Sequence, residues 1–335
     1  MLMMAGLLVY FLNFIFGKGK NQKLAYAWFE RHKTLFESNF ALVGDDGKSE
    51  IENPGLRKES ENIYILWCSG RALMEGMLVE LRLLKRQDLN GVISQMIRPS
   101  SDQLIVKVSL EEMDSFVFAL GTKKATGKLV KEMTDINTYC PEKRSGDKYG
   151  LGSQFVVHSE LSEVSALIVR DQKVMAVMSK FPDLVDFFHF SDQYSGPKPQ
   201  EESQSTKPPP VKKTLVFGFN FPKGNLTSDA FESMKPMMQL VFYLSDKLSR
   251  LRLTKEAKMK AEKNRAKVEE AFLKATHAAR AELAQNLREE KKRKERERIM
   301  GLDDPDKQRK WEEREQKRQM KRRAPKMKTL KIKPM

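Results

Sequence analysis

The stretch LIVKVSL, residues 104–110, alternates apolar and polar side chains with a period of two. Leu104, Val106 and Val108 fall on one side of an extended chain, and Lys107 and Ser109 fall on the other. This pattern of β-branched and apolar residues is typical of a strand with one face against a core. The same alternation predicts four further strands, at 63–67, 77–84, 116–120 and 215–221.

Helix-like stretches precede and separate these strands, at 21–43, 85–97, 122–137, 159–170 and 181–190. Alternating strands mixed with helices indicate an α+β domain in which helices cover one face of the sheet. We assign this mixed α/β globular body, predicted to be cytosolic, to residues 18–228. Within it, SGPKPQEESQSTKPPPVKK (195–213) has five prolines and predicts a disordered or extended loop.

The positive charge is concentrated in the C-terminal part of the chain. The 335 residues include 61 Lys+Arg and 45 Asp+Glu, a net charge of +16. Residues 251–335 hold 29 basic and 15 acidic residues, net +14, which leaves +2 for residues 1–250. Two cysteines, Cys68 and Cys140, and four scattered histidines do not form a disulfide framework or a zinc motif. We therefore predict no metal and no cofactor.

The first seventeen residues, MLMMAGLLVYFLNFIFG, contain no charged side chain. A helix of this length spans about 25 Å, slightly less than the ~30 Å hydrocarbon core of a bilayer. Lys18, Lys20 and Lys23 follow directly, and the positive-inside bias places them in the cytosol. We predict a membrane helix at 1–17 in a single-pass protein with a cytosolic C-terminus. A signal peptide and a buried or amphipathic helix are the alternatives.

Residues 229–323 are predicted to form long charged helices, broken at GLDDPD (301–306) and followed by a basic tail at 324–335. A parallel leucine zipper requires sustained large apolar residues, but Lys255 and Lys258 occupy the seam positions after Leu251. Smaller residues continue the stripe: Ala257, Ala261, Val268, Ala271, Ala275 and Ala278. This stripe fits either an antiparallel hairpin with a close partner or a solvated single helix.

Two basic clusters lie in this region. The first basic cluster is Lys291, Lys292, Arg293, Lys294, Arg296 and Arg298, and the second is Lys321, Arg322, Arg323, Lys326, Lys328, Lys331 and Lys333. Cations at this density neutralise phosphates without reading a sequence, which indicates structural RNA or anionic lipid as the target. A solvated helix that only aids solubility is the alternative. No Asp or Glu follows Glu315, so the second basic cluster contains no acidic residue, whereas glutamates lie among the cations of the first basic cluster.

The strongest enzymatic candidate is GTKKATGKL, residues 121–129. A phosphate-binding loop has four residues between its glycines and a Ser or Thr after the lysine. Here five residues intervene and Leu129 follows Lys128. We therefore predict a protein that is not an enzyme, with nucleotide binding through Lys128 as an alternative.

Four segments resemble the calumin family: MLMMAGLLVYFLNFIFGKGKNQKLAYAWF, ENIYILWCSGR, LVELRLLKRQDLN and DKQRKWEEREQKRQMKRRAPKMKTLKIKPM. Its members are coiled-coil-containing endoplasmic-reticulum subunits of the PAT (protein associated with the translocon) complex. The resemblance implies a non-enzymatic adaptor or chaperone of the endoplasmic-reticulum membrane that assists insertion and folding of multipass membrane proteins. The implied partners are an Asterix-type small membrane protein, the Sec translocon channel with other multipass-translocon subunits, the ribosome through its RNA, and nascent multipass proteins.

The resemblance also assigns roles to residues. Bilayer contact falls to Leu7, Leu8, Phe11, Phe14 and Ile15, and ribosomal RNA contact falls to the two basic clusters. Lys331 and Lys333, fifth and third from the end, are similar to a dilysine signal for return to the endoplasmic reticulum. Family members carry an acidic lumenal region before the membrane helix, so we expect the calcium binding of that region to be absent or reduced here. A membrane tether whose basic helical arm binds anionic lipid is the alternative function.

Overall fold

The computed structural model describes residues 2–44, 55–198, 208–222, 224 and 228–300, together with positions 309, 313, 317 and 320. Two compact units are present, Met1–Val268 and Glu269–Met335. The predicted break at 301–306 and most of the helix predicted after it lie outside the described residues. The elements in chain order are α1 (Leu2–Glu37), β1 (Leu42–Val43), β2 (Arg57–Lys58), β3 (Ile63–Ser69), β4 (Met74–Arg82), α2 (Leu89–Ile97), β5 (Gln103–Leu110), β6 (Val117–Thr122), α3 (Lys123–Glu132), α4 (Thr134–Tyr139), β7 (Lys143–Ser145), a 3₁₀ turn (Gly146–Tyr149), β8 (Phe155–Ser159), α5 (Ser162–Val169), α6 (Gln172–Lys180), β9 (Val185–Tyr194), β10 (Lys212–Asn220), α7 (Ser228–Glu232), α8 (Lys235–Arg250) and α9 (Lys255–Met300).

The ten described strands form one antiparallel sheet in the order β1-β3-β4-β5-β10-β9-β6-β8-β7, with β2 paired to β3. Strand β10 lies at the centre, so Phe217 is opposite Val106 of β5 on one side and Phe188 of β9 on the other. These three side chains are fully buried. The predicted mixed α/β fold is therefore confirmed, with a larger sheet than the sequence indicated.

All five predicted strands are found, as β3, β4, β5, β6 and β10. The helix predicted at 181–190 is wrong, because most of this segment belongs to strand β9. Strand β9 lies between β10 and β6, and Val185, Phe188 and Phe190 are completely buried. In this segment Leu184, Val185, Phe187, Phe188 and Phe190 recur without strict alternation, so periodicity does not distinguish a strand from a helix.

Helices cover one face of the sheet and part of the other. The larger core joins one face to α1, α5, α6, α7 and α8, and it includes Trp28, Phe36, Phe219 and Leu244, each fully buried. On β6, side chains alternate between the two faces, and Val117 and Ala119 turn to a second, smaller core beneath α3 and α4. Burying one large apolar side chain contributes roughly 1.5–3 kcal/mol to folding. Helices thus cover one face of the sheet, and on the other face α3 and α4 cover only the region of β6, β8 and β9.

Helix α1 has two halves in different surroundings. From Asn21 onward, Asn21, Ala25, Trp28, His32 and Phe36 are buried and recur at helical spacing. The first half exposes its apolar side chains: the exposed fractions of Leu7, Leu8 and Phe11 are 62%, 61% and 59%. The second half therefore holds α1 on the body, and the first half is an uncovered apolar segment.

Across the described ranges, no helix combines the length and the apolarity that crossing a membrane requires. The spanning helix predicted at 1–17 is therefore not supported. The apolar run ends at Gly17, and the same helix continues without a break through Lys18, Lys20 and Lys23.

The region 229–300 also differs from the prediction. Helix α8 carries Met237, Val241, Leu244 and Leu248 into the larger core, so the heptad-like spacing faces the sheet. Residues 251–254 separate α8 from α9, and the first compact unit continues to Val268, well beyond the predicted boundary at 228. The small-residue stripe divides in the same way. Its first members, Ala257 and Ala261, are buried, whereas Ala271, Ala275 and Ala278 are exposed.

Candidate interaction surfaces

Arg265 fastens the beginning of α9 to the sheet. Its Nε donates to Asp192 Oδ2 on β9 at 2.8 Å, and its Nη2 donates to the other Asp192 oxygen. Its Nη1 donates to Glu160 Oε1, just after β8, at 3.0 Å. The side chains of Glu160 and Asp192 are 0% and 7% exposed. We call Arg265, Glu160 and Asp192 the Arg265 clamp.

The clamp is completed by further hydrogen bonds. Asn264 donates to Glu160 Oε1 at 3.0 Å, and the Val117 backbone N–H donates to Glu160 Oε2 at 3.2 Å. Burial disfavours the charge on Arg265, but the hydrogen bonds and charges of Asp192 and Glu160 outweigh burial and raise the pKa of Arg265 above its ordinary value. A buried charge pair stabilises a fold only when its remaining polar atoms are satisfied, as they are here.

The first basic cluster lies further along α9, in the second compact unit. Lys291, Arg293, Lys294 and Arg298 are exposed. Lys294 Nζ lies 2.8 Å from Glu290 Oε1 one helical turn earlier, and this bond lowers the pKa of Glu290. The side chains of Lys292 and Arg296 lie outside the described residues, as does the second basic cluster with Lys331 and Lys333.

Three cations of the first basic cluster share one face of the helix. Lys291, Lys294 and Arg298 are spaced by three and four residues, which places them in one row. Exposed ion pairs such as Lys294–Glu290 contribute little, because water screens them. This row is therefore a cationic face that stays hydrated and open to a polyanion.

The apolar first half of α1 is the second exposed surface. Of the five residues assigned to bilayer contact, Leu7, Leu8, Phe11 and Ile15 are exposed. Phe14 is partly buried, and Lys18 Nζ lies 5.8 Å from its ring centre. Next to them, Ile15, Phe16, Gly19, Lys20, Lys23 and Leu24 line a shallow open cleft. A helix that is apolar on several sides is stable where apolar material surrounds it.

A polar network holds α1 against the loop 84–87. Asn21 donates to Leu84 O at 3.0 Å, and Asn13 donates to Arg86 O at 3.2 Å. Arg86 in turn bonds Asn21 Oδ1 at 2.9 Å and Asp102 Oδ2 at 2.6 Å. At Gly17 a Cβ atom would stand 2.2 Å from Arg86 O, so helix and loop meet backbone to backbone. Only glycine fits at this contact.

Comparison with known proteins identifies the family. A model of the family described as PAT complex subunit CCDC47 matches residues 1–322. The chain belongs to this family. The PAT complex subunit CCDC47 of Danio rerio is 50% identical over 344 residues, which cover 100% of this chain and 71% of the relative. The Homo sapiens subunit of the same name is 50% identical over 297 residues, 87% of this chain and 61% of the relative. An uncharacterized Arabidopsis thaliana protein is 31% identical over 269 residues, 76% of this chain and 52% of the relative.

Membership of the CCDC47 family confirms the resemblance drawn from the four quoted segments. Sequence reasoning missed the Arg265 clamp, however. Arg265 is one cation among many on α9, and its partners Asp192 and Glu160 are 73 and 105 residues away. No local pattern marks such a pair, so only the fold reveals it.

In this CCDC47 family chain the segment 121–129 does not form a phosphate-binding loop. Strand β6 passes directly into α3, with Thr122 as the N-cap whose hydroxyl accepts from Ala125 N–H at 3.2 Å. Gly121 lies inside the strand, where a Cβ would meet Asp186 O at 2.5 Å. Lys128 is exposed on α3, and its Nζ lies 3.8 Å from Glu132 Oε1. In the described part of the chain, no three His, Cys, Asp or Glu side chains cluster as metal ligands.

Proposed function

We propose that this protein is a non-enzymatic PAT complex subunit of the endoplasmic reticulum that binds the ribosome and assists the insertion and folding of multipass membrane proteins. Two observations support the proposal: the family match over residues 1–322 and the exposed cationic face on α9. The proposed partners are an Asterix-type small membrane protein, the Sec translocon, nascent multipass proteins and ribosomal RNA. The exposed apolar half of α1 supplies the contact with the membrane.

The cationic face of α9 is the observation that carries the ribosome-binding part. Lys291, Lys294 and Arg298 form one exposed row on the same helix. Each phosphate contact changes the logarithm of affinity by about 0.7–0.9 per decade of salt concentration. Three contacts therefore predict an affinity loss of about 20- to 40-fold when salt rises fourfold. RNA presents such phosphates at high density.

Binding of the full-length chain to purified ribosomes and to anionic vesicles, each across a salt series, tests this proposal. The cluster variant reverses the three charges of the row, and the control variant reverses three exposed lysines earlier on the same helix. The cluster variant is Lys291→Glu, Lys294→Glu and Arg298→Glu, and the control variant is Lys260→Glu, Lys263→Glu and Lys267→Glu. Both variants change the net charge equally, so general electrostatic attraction cancels in the comparison.

We expect the cluster variant to bind ribosomes weakly and with a flatter salt dependence, while the control variant binds as the parent chain does. Equal losses in both variants would show that net charge alone drives binding and would contradict a specific face. A chain that binds vesicles and not ribosomes, and loses that binding in the cluster variant, would support the alternative of a tether to anionic lipid.

A further inference from the structure

Helix α2 turns its apolar side chains outward. Its apolar residues Leu89, Val92, Ile93, Met96 and Ile97 recur at the spacing of one helical face. On an ordinary surface helix this face packs on the core. On α2 the exposed fractions are 55% for Ile93, 80% for Met96 and 74% for Ile97, and no residue of the helix is buried. An amphipathic helix with its apolar face uncovered marks an interaction surface.

The helix itself is well formed. Asp88 caps its N-terminus and accepts from Asn90 N–H at 3.1 Å. At Gly91 a Cβ would stand 2.7 Å from Lys85 O, so the first turn lies tightly against the loop before it. The outward apolar face is therefore a feature of a fixed element of the fold.

Helix α2 lies beside the apolar half of α1. The loop 84–87, which contacts Asn13 and Gly17 of α1, leads into α2 after a single residue, Asp88. The two helices are also in direct contact with each other. The two helices thus lie next to each other, and each carries uncovered apolar residues.

Most of the charged residues next to this helix are positive. Lys85 precedes α2 and Arg98 follows it, and both are exposed. The one acidic residue in the segment 85–100 is the N-cap Asp88, whose carboxylate accepts from Asn90 N–H. Lys20 of α1 is also exposed. An apolar face flanked by cations is complementary to a bilayer surface with anionic headgroups.

We propose that α2 lies in the interface of an anionic phospholipid bilayer, with Ile93, Met96 and Ile97 among the acyl chains and Lys85 and Arg98 at the headgroups. This second contact lies outside α1 and fixes the orientation of the body on the membrane. It extends the membrane setting of the proposed function, and it does not depend on ribosome binding.

A fluorescent label on the full-length chain tests the position of α2. The native cysteines are buried, and burial raises the pKa of the Cys68 thiol to about 12, so an introduced exposed cysteine reacts selectively with a maleimide or iodoacetamide dye. Met96→Cys places an NBD label on the apolar face. Ser94→Cys places it on the opposite side of the same helix and is the matched control.

Vesicles of phosphatidylcholine and phosphatidylserine are then added to each labelled chain. We expect a blue shift at position 96 that brominated acyl chains quench, and little change at position 94. In unlabelled chains, Met96→Asp should weaken vesicle binding about tenfold, since an apolar insertion is replaced by a charge. Met259→Asp, at an exposed methionine of α9, should not.

Two results would overturn the proposal, and a third would separate it from the proposed function. A label at 96 that stays in water while the chain floats with vesicles would show that α1 alone makes the contact. A shift at 96 produced by detergent-solubilised microsomal proteins and not by lipid would identify a protein as the occupant. If the chain fails to bind ribosomes but the label at 96 still responds to vesicles as expected, the proposed function is wrong and this inference stands.

Discussion

Replacing Arg265 by methionine tests whether the clamp fixes α9 to the body. The substitution keeps most of the apolar stem and removes the guanidinium, which leaves Glu160 and Asp192 buried without their cation. Removing one partner of a buried ion pair costs about 3–5 kcal/mol. Glu160 retains the N–H donors of Asn264 and Val117, so we expect the lower end, about 3 kcal/mol. That is a large part of the 5–15 kcal/mol typical of a folded domain.

Urea denaturation of the full-length chain, followed by tryptophan fluorescence, measures the loss of unfolding free energy. Hydrogen exchange adds a local readout, because amides of residues 255–268 should exchange faster once the clamp is open. Arg280→Met, at an exposed position of α9, is the control and should change little.

Neutralising all three members of the clamp provides a further check. Arg265→Met combined with Glu160→Gln and Asp192→Asn leaves no uncompensated buried charge, so this triple variant should be more stable than Arg265→Met alone. A loss below about 1 kcal/mol for Arg265→Met, or a triple variant that is the least stable of all, would refute the reasoning from buried charge.

Two further predictions concern α1. Burial lowers the pKa of His32 from 6.5 to about 4. Between these pH values the unfolded chain binds a proton at His32 and the folded chain does not. The free energy of unfolding should therefore fall as pH drops from 6.5 toward 4, by up to about 3 kcal/mol. In His32→Gln the urea midpoint should depend less on pH over this range. Gly17→Ala should cost about 1–3 kcal/mol, because its Cβ would meet Arg86 O, whereas Gly19→Ala has open space and should stabilise the helix by about 0.5–1 kcal/mol. Equal melting temperatures for the two alanine variants would contradict the backbone contact between α1 and the loop.

The strands predicted from sequence are those whose side chains alternate in polarity or in size, as Phe217 and Phe219 do with Val216 and Gly218 on the buried strand β10. Strand β5 alternates because Lys107 and Gln103 on one face stay partly exposed while Val106 and Val108 are buried. Strand β8 was not predicted, since four of its five residues are buried and no alternation remains. Periodicity reports a contrast between the two faces of a strand, and Phe155, Val156 and Val157 of β8 show no such contrast.

The same limit explains why the sequence did not predict that α8 packs on the sheet. Its apolar residues recur every three to four positions, which a coiled coil and a helix packed on a sheet share. The helix was therefore placed in the charged C-terminal region. Its residue Phe242 in fact packs against Phe36 of α1 and Phe40 just after α1, far away in the chain. Spacing defines the face that is buried, but it does not define what covers that face.

The charge pattern has a comparable ambiguity, and this bears on the ribosome proposal. Net charge counts every cation on α9 equally, although Arg265 is bound between two carboxylates and Lys258 Nζ lies 3.1 Å from Asp114. Cations neutralised inside the fold have little field left to attract phosphates, whereas Lys291 and Arg298 remain in water. The charge that a polyanion meets is therefore smaller than the sequence count, and Lys291, Lys294 and Arg298 of the first basic cluster are part of it. This is why the three charge reversals are placed on that face and why the clamp serves as a test of stability alone.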